Sequence, residues 1–117
     1  MDFVSEERKL RKISDNQRVL CREYAIERNK YGQARYDLGL LLIPHQDKRE
    51  FQKASFEKQL LLLLEQTPEN QKVAVYSMYK DYITCREKYK GLALMIQRNS
   101  ELISWTQSML HYAREND

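Results

Sequence analysis

TPENQKVAVYSMYKDYITCREKYKGLALMIQRNSELISWTQSMLHYAR, residues 67–114, decides the fold, because it reads as one helix of nearly fifty residues. Thr67 is placed to cap it, Pro68 suits a first turn that needs no amide donor, and Glu69 favours the positive end of the helix dipole. No proline follows. Steps of four and three from Val75 pick out two rows. Val75, Tyr82, Tyr89, Ile96, Ile103 and Leu110 are wholly apolar or aromatic, whereas Tyr79, Arg86, Ala93, Ser100, Gln107 and Arg114 are mostly small or polar. A strong row beside a weak one is the pattern of a coiled-coil-like seam. Gly91 is the one place where a kink is expected.

Working outward from this helix, the N-terminal stretch shows the same rhythm. Leu10, Ile13, Gln17, Leu20, Tyr24, Glu27, Tyr31, Ala34, Leu38 and Leu41 share one seam, which predicts a helix over 3–43 that ends at Pro44. Gln17 and Glu27 interrupt the seam, as polar residues do where register or oligomeric state is specified at a cost in stability. Gly32 and Gly39 each lower helix propensity by about 1 kcal/mol relative to Ala and mark where a bend or close packing is expected. Asp47 and Glu50 form a capping-box pair that opens a second helix over 48–66. Phe51, Ala54, Phe56 and the leucines at 60–64 give that helix a broad apolar face, which predicts cover on more than one side. The third helix is expected over 68–115. Residues 1–117 are thus read as a single all-α domain of two long helices joined by a shorter one.

At 1.5 Å per residue the three helices measure roughly 60, 28 and 70 Å. A short middle helix that reverses the chain twice lets the long helices overlap only in part. Seam residues Leu10, Ile13 and Leu20, with Ile96, Ile103 and Leu110, are then expected to lie bare and to be covered by other copies in a homo-oligomer. A sharp bend at Gly91, closing a four-helix bundle, is the alternative.

With 42% hydrophobic and 32% charged residues the chain of 117 is rich enough in apolar side chains to fold. The apolar runs at 38–43 and 60–64 fall far short of the roughly 20 residues a membrane span needs. Met1 leads into an acidic and then basic amphipathic segment, so no signal peptide and no membrane partner are expected, and the location is expected to be cytoplasmic (the host cytoplasm for a phage product). Cys21 and Cys85 stand apart from each other and from any CxxC, which predicts reduced thiols. His45 and His111 have too few neighbouring ligands for a metal site, though His111 and Glu115, one turn apart, are placed to hydrogen-bond. No Ser–His–Asp set, phosphate-cradling glycine loop or paired acidic motif is present, so neither an enzyme nor a cofactor is expected.

Charge is unevenly distributed. Between Arg8 and Arg35 nine basic residues face Asp15, Glu23 and Glu27, while the rest of the chain carries a net −3. Arg8, Arg11, Lys12, Arg18 and Arg22 return to the helix face away from the Leu10–Ile13–Leu20 seam. A row of this kind is spaced to track a phosphate backbone, and it is also what a solvated helix face with partners such as Arg11–Asp15 looks like. Lys48, Arg49 and Lys53 form a second basic group. Tyrosine is abundant, with eight in the chain. Tyr24, Tyr31, Tyr79, Tyr82 and Tyr89 fall on seams and are expected in the core, while Tyr36, Tyr76 and Tyr112 lie off them and are candidates for stacking on a base or a partner.

YSMYKDYITCREKYKGLALMIQRNSELISWTQSML, residues 76–110, resembles the C-terminal helix of small helical proteins of tailed bacteriophages, and more loosely the UvsY-type recombination mediators. The shared pattern runs over about residues 51–110. It comprises a middle helix of the kind FQKASFEK (residues 51–58), an aromatic-rich turn, and a long apolar helix ending in Ile103, Gln107, Ser108 and Met109. The lysine-rich middle portion of the mediators is represented by Lys48, Arg49, Lys53 and Lys58 only. The resemblance implies a non-enzymatic accessory of recombination or replication that is oligomeric, binds single-stranded DNA, and helps load a recombinase onto strands covered by single-strand-binding protein. A competing expectation is a protein–protein adaptor or inhibitor that grips its partner through a helical surface, without nucleic acid. A third is a purely structural coiled-coil component of a particle, which predicts self-assembly with neither activity.

Overall fold

The computed structural model describes residues 3–116. The chain is 92% helical with no strand among the described residues, an all-α fold of long helices joined by short ones. Helix α1 spans Phe3–Leu42, a 3-10 turn covers Ile43–His45, α2 is the single turn Arg49–Gln52, α3 is Phe56–Gln66, and α4 is Glu69–Glu115.

The joints follow local chemistry. α1 ends at Leu42, which caps the 3-10 turn that starts at Ile43 and holds Pro44 near its N-terminus. The helix expected over 48–66 is two helices. Lys48 is the N-cap of α2 with extended backbone and no side-chain cap, so the Asp47–Glu50 box is not what starts it. Ser55 then turns extended (ψ 165°) and its hydroxyl accepts from the Lys58 amide at 3.3 Å, giving α3 its own cap and breaking the run after Lys53. Thr67 does not cap α4. It is the extended C-cap of α3, as a residue before proline prefers, and its buried hydroxyl donates to the Leu63 carbonyl at 2.6 Å. The Pro68 carbonyl instead accepts from Gln71 and Lys72 at 2.9 and 3.1 Å to open α4. That helix is assigned without interruption through Gly91. A Cβ added at Gly32, Gly39 or Gly91 would meet nothing within 4 Å, so none of the three serves close packing.

Two compact units make up the chain, one of Met1–Ile26 with Lys88–Asp117 and one of Glu27–Glu87. In the first, the start of α1 and the end of α4 run antiparallel against each other. Arg114 bonds Glu7, Gln17 reaches the Ile96 carbonyl at 2.8 Å, and Tyr24 meets Tyr89 edge-on at 6.1 Å. Leu20, Thr106 and Leu110 are buried there, and Leu10, Ile13, Ile96 and Ile103 are half-buried. The seam residues expected to lie bare are therefore covered from within the chain, α1 against α4, because the two helix ends overlap fully in this unit. On α4 the second row of the seam is Leu92, Asn99, Thr106 and Ala113, while Ser100, Gln107 and Arg114 of the expected row are exposed.

The second unit packs α2 and α3 against the end of α1 and the start of α4. Tyr31, Leu38, Leu42, Phe51, Leu60, Leu63 and Tyr82 form its core. Of the five leucines, Leu62 and Leu64 are half-buried and Leu61 points outward. Gln59 ties α3 to the preceding turn by donating to the carbonyls of Phe51 and Ala54 at 2.9 and 3.1 Å.

Candidate nucleic-acid interface

In the first unit, Arg8, Arg11, Lys12, Arg18 and Arg22 are all exposed. At 100° per residue they fall within an arc of about 120° on the side of α1 opposite its packed seam, and they span about 21 Å along the axis. Among the described residues none of the five enters an ion pair; the α1 pairs in this unit are Lys9–Glu6 and the Arg114–Glu7 contact with α4. Asp15 shares the face but takes no Arg11 partner. Arg11 and Arg18 edge a groove between the two helices, floored by Leu10 and Leu110, with His111 and Arg114 on its far wall. His111 sits 3.3 Å from Glu115, as the spacing predicted.

The second basic group lies in the second unit and is not uniform. Lys48, Arg49 and Lys53 are exposed and line one surface depression with Glu50. Lys48 is occupied. Its ammonium donates to Gln66 Oε1 at 2.6 Å, lies 2.8 Å from His45 Nδ1 and sits 5.7 Å from the Phe51 ring centre. Lys48 is itself exposed, and these contacts tie the start of α2 to the end of α3, so it serves as a surface brace rather than as a free cation.

Two further arginines counted in the basic stretch turn the other way. Arg28 and Arg35 lie one turn before and one turn after Tyr31, on the packed side of α1. Arg28 stacks over the Tyr31 ring at 4.9 Å, and Arg35 covers Phe56 at 4.2 Å while donating to the Tyr31 hydroxyl at 3.2 Å. Tyr31 and Tyr82 stack at 5.3 Å, and Tyr82, fully buried, donates to Glu57 Oε1 at 3.0 Å. Arg86 completes the set with a 3.4 Å bond to the same carboxylate. Burial, then hydrogen bonding with Tyr31 and Glu57, holds the Tyr82 phenol well above its ordinary range. Burial also pushes Tyr31 upward, but the bonds from Tyr82 and Arg35 and the Arg35 and Arg28 charges outweigh it and leave that phenol lowered. The Glu57 carboxyl is lowered by its own backbone amide at the start of α3 and then by the Tyr82 hydroxyl. This cluster, which knits α1, α3 and α4 together, was not legible as a unit in the sequence. Its available signal was the i−3, i+4 placement of two arginines about a seam tyrosine.

The tyrosines sort as their seam positions predict. Tyr31 and Tyr82 are buried, Tyr24, Tyr79 and Tyr89 half-buried, and Tyr36, Tyr76 and Tyr112 exposed. Cys21 is exposed and Cys85 half-buried, and no group of three or more potential metal ligands occurs among the described residues. No described helix is long and apolar enough to cross a membrane. No family model matches the chain, and no curated protein or solved structure matches it.

Proposed function

We propose that the chain is a non-enzymatic single-stranded-DNA-binding accessory of recombination or replication, working as a homo-oligomer and mediator-like in helping load a recombinase. The observation that carries this reading is the row of five exposed, unpaired cations on one face of α1. A rigid helix holds them about 21 Å apart from end to end, opposite the side that the fold has already used for packing. Their chemistry suits phosphate contact without base readout, and exposed tyrosines such as Tyr36, Tyr76 and Tyr112 are available for sequence-tolerant stacking. Arg49 and Lys53 are secondary contacts, and Lys48 acts through its brace. The mechanism is physical: a basic assembly holds the strand, loosens the covering protein, and presents the strand to the recombinase. The resemblance to the UvsY-type mediators supports the same reading.

The test is fluorescence anisotropy with a labelled strand of thirty nucleotides or so. Five phosphate contacts on a single strand give a slope of about −3.5 in log affinity against log salt, close to a hundredfold loss between 50 and 200 mM. Replacing Arg8, Arg11, Lys12, Arg18 and Arg22 by Glu should abolish binding at unchanged helicity. Absence of wild-type binding at low salt would end the DNA reading. The face would then be assigned to an acidic protein patch, the adaptor reading.

A further inference from the structure

Helix α4 carries a second heptad within the first unit. Met95, Arg98, Leu102, Trp105, Met109 and Tyr112 recur at steps of three and four, each one residue before a member of the packed row Ile96, Asn99, Ile103, Thr106, Leu110 and Ala113. One residue is about 100° of helix turn, so the two faces stand nearly at a right angle. α1 covers the packed row, where Leu110 is 5% accessible, whereas Trp105 is 62% and Tyr112 65% accessible. Met95 and Leu102 are nearly half exposed.

The composition of this face is that of an interface. Arg98 and Glu101 are the only charged residues between Gly91 and Ala113, in a chain that is 32% charged overall. Aromatic and methionine side chains take the place of the missing charges, which is the signature of a covered interface core. Met95, Trp105, Met109 and Tyr112 with Leu102 make an apolar stripe on the order of a few hundred Å², the size at which exposure marks an interaction site.

We propose that a second copy of this chain covers the face, α4 against α4, antiparallel about a two-fold axis near residue 100. Two observations select a copy over another occupant. First, a helix with two apolar seams nearly a right angle apart is built as a corner of a four-helix bundle, and two copies of an antiparallel helix pair supply four helices. Second, the stripe is complementary to itself. Antiparallel pairing about residue 100 sets Met95 against Trp105 and Gly91 against Met109, and it brings Arg98 of one copy beside Glu101 of the other. The only charges on the face are then neutralised in pairs. Isologous contacts of this kind are the commonest form of self-association. The proposal deepens the assembly part of the functional reading and rests on it there alone. It replaces the Leu10–Leu110 seam, already filled within the chain, by the outer stripe of α4.

The experiment is sedimentation velocity of the full chain, without nucleic acid, from low to hundreds of micromolar, alongside the emission of Trp105, the single tryptophan. The expected result is a monomer–dimer equilibrium whose midpoint coincides with a blue shift of that emission. Leu102→Glu and Met109→Glu should each weaken the dimer more than about tenfold at unchanged far-ultraviolet circular dichroism, since both side chains are exposed in the monomer. Arg98→Glu alone should weaken it severalfold, and adding Glu101→Arg should restore it. A chain monomeric throughout, or L102E and M109E variants that associate as tightly as the parent, would overturn the proposal. Because no DNA is present, loss of strand binding by an intact dimer would count against the DNA reading only.

Discussion

Replacing Gln17 by Leu should stabilise the protein, against the usual direction of core substitutions. Gln17 sits half-buried in the α1 seam between Ile13 and Leu20, facing α4. Its Nε2 donates to the Ile96 carbonyl at 2.8 Å and to Ser100 Oγ at 2.7 Å, but its Oε1 is buried with no hydrogen-bond partner. An unsatisfied buried acceptor costs about 1–3 kcal/mol, and the two donated bonds return about 0.5–1.5 kcal/mol each. Their loss is cushioned on the α4 side. The exposed Ser100 hydroxyl regains water, and the Ile96 carbonyl belongs to a continuous helical ladder. A half-buried Leu adds about 1 kcal/mol of apolar burial. The net expectation is a gain of about 1–2 kcal/mol, or a midpoint rise of about 4–8 °C for a domain of this size. Urea unfolding followed by circular dichroism, with an unchanged slope, is the assay. A lower midpoint for Gln17→Leu would refute the reasoning and show that the two donated bonds outweigh the orphaned oxygen. The stabilised variant should also lose some definition of register, since Gln17 recognises one pair of α4 positions and Leu accepts several.

Tyr82→Phe should cost about 1–2 kcal/mol, below the full value of a bond to a charged group, because the Glu57 side chain is 47% accessible and regains water. The same variant has a pH signature. Because folding raises the Tyr82 pKa, the folded state keeps a proton that the unfolded chain releases, so stability should fall as pH rises above the ordinary phenol value near 10. Tyr31, lowered, acts in the opposite sense over the window below that value. Phenolate absorbance should show one late-ionising tyrosine that disappears in Tyr82→Phe, and its persistence would reject the assignment. Ser55→Ala removes the only side-chain cap of α3 and should cost about 1 kcal/mol, seen as a lower melting temperature. Gly32→Ala should raise the melting temperature by a gain of about 0.5–1 kcal/mol, since the added Cβ meets nothing within 4 Å; a loss would mean that the helix needs glycine there.

Local signals in the chain were sufficient for the two long helices. Periodicity of three and four placed the α1 seam, and every member from Leu10 to Leu41 is buried or half-buried. Pro44 and the Thr67–Pro68 pair marked two of the breaks, because proline acts on its immediate neighbours. The break at Ser55 was missed. FQKASFEK is compatible with a helix throughout, and only the packing of Phe51 and the reach of Gln59 back to Phe51 and Ala54 make a cap there preferable. The basic row was legible for the same reason as the seam: residues on one helix face share a period.

What the tertiary structure alone decided is which face meets what. Charge counting gave Arg28 and Arg35 the same standing as Arg18 and Arg22, yet the first two, though still solvent-accessible, lie over the Tyr31 and Phe56 rings while the others meet no ring among the described residues, because an arginine stem packs on an aromatic ring wherever the fold brings one near. Helix lengths suggested bare seams, but length does not say where two helices overlap, and Leu20 and Leu110 prove to be buried in the first unit. Beyond Ala93 the row on α4 that packs is the one containing Thr106, not the one containing Gln107. Two rows a single residue apart differ by about 100° of rotation. A hydrophobic period fixes that a helix has an inner side, and only its partner fixes the angle.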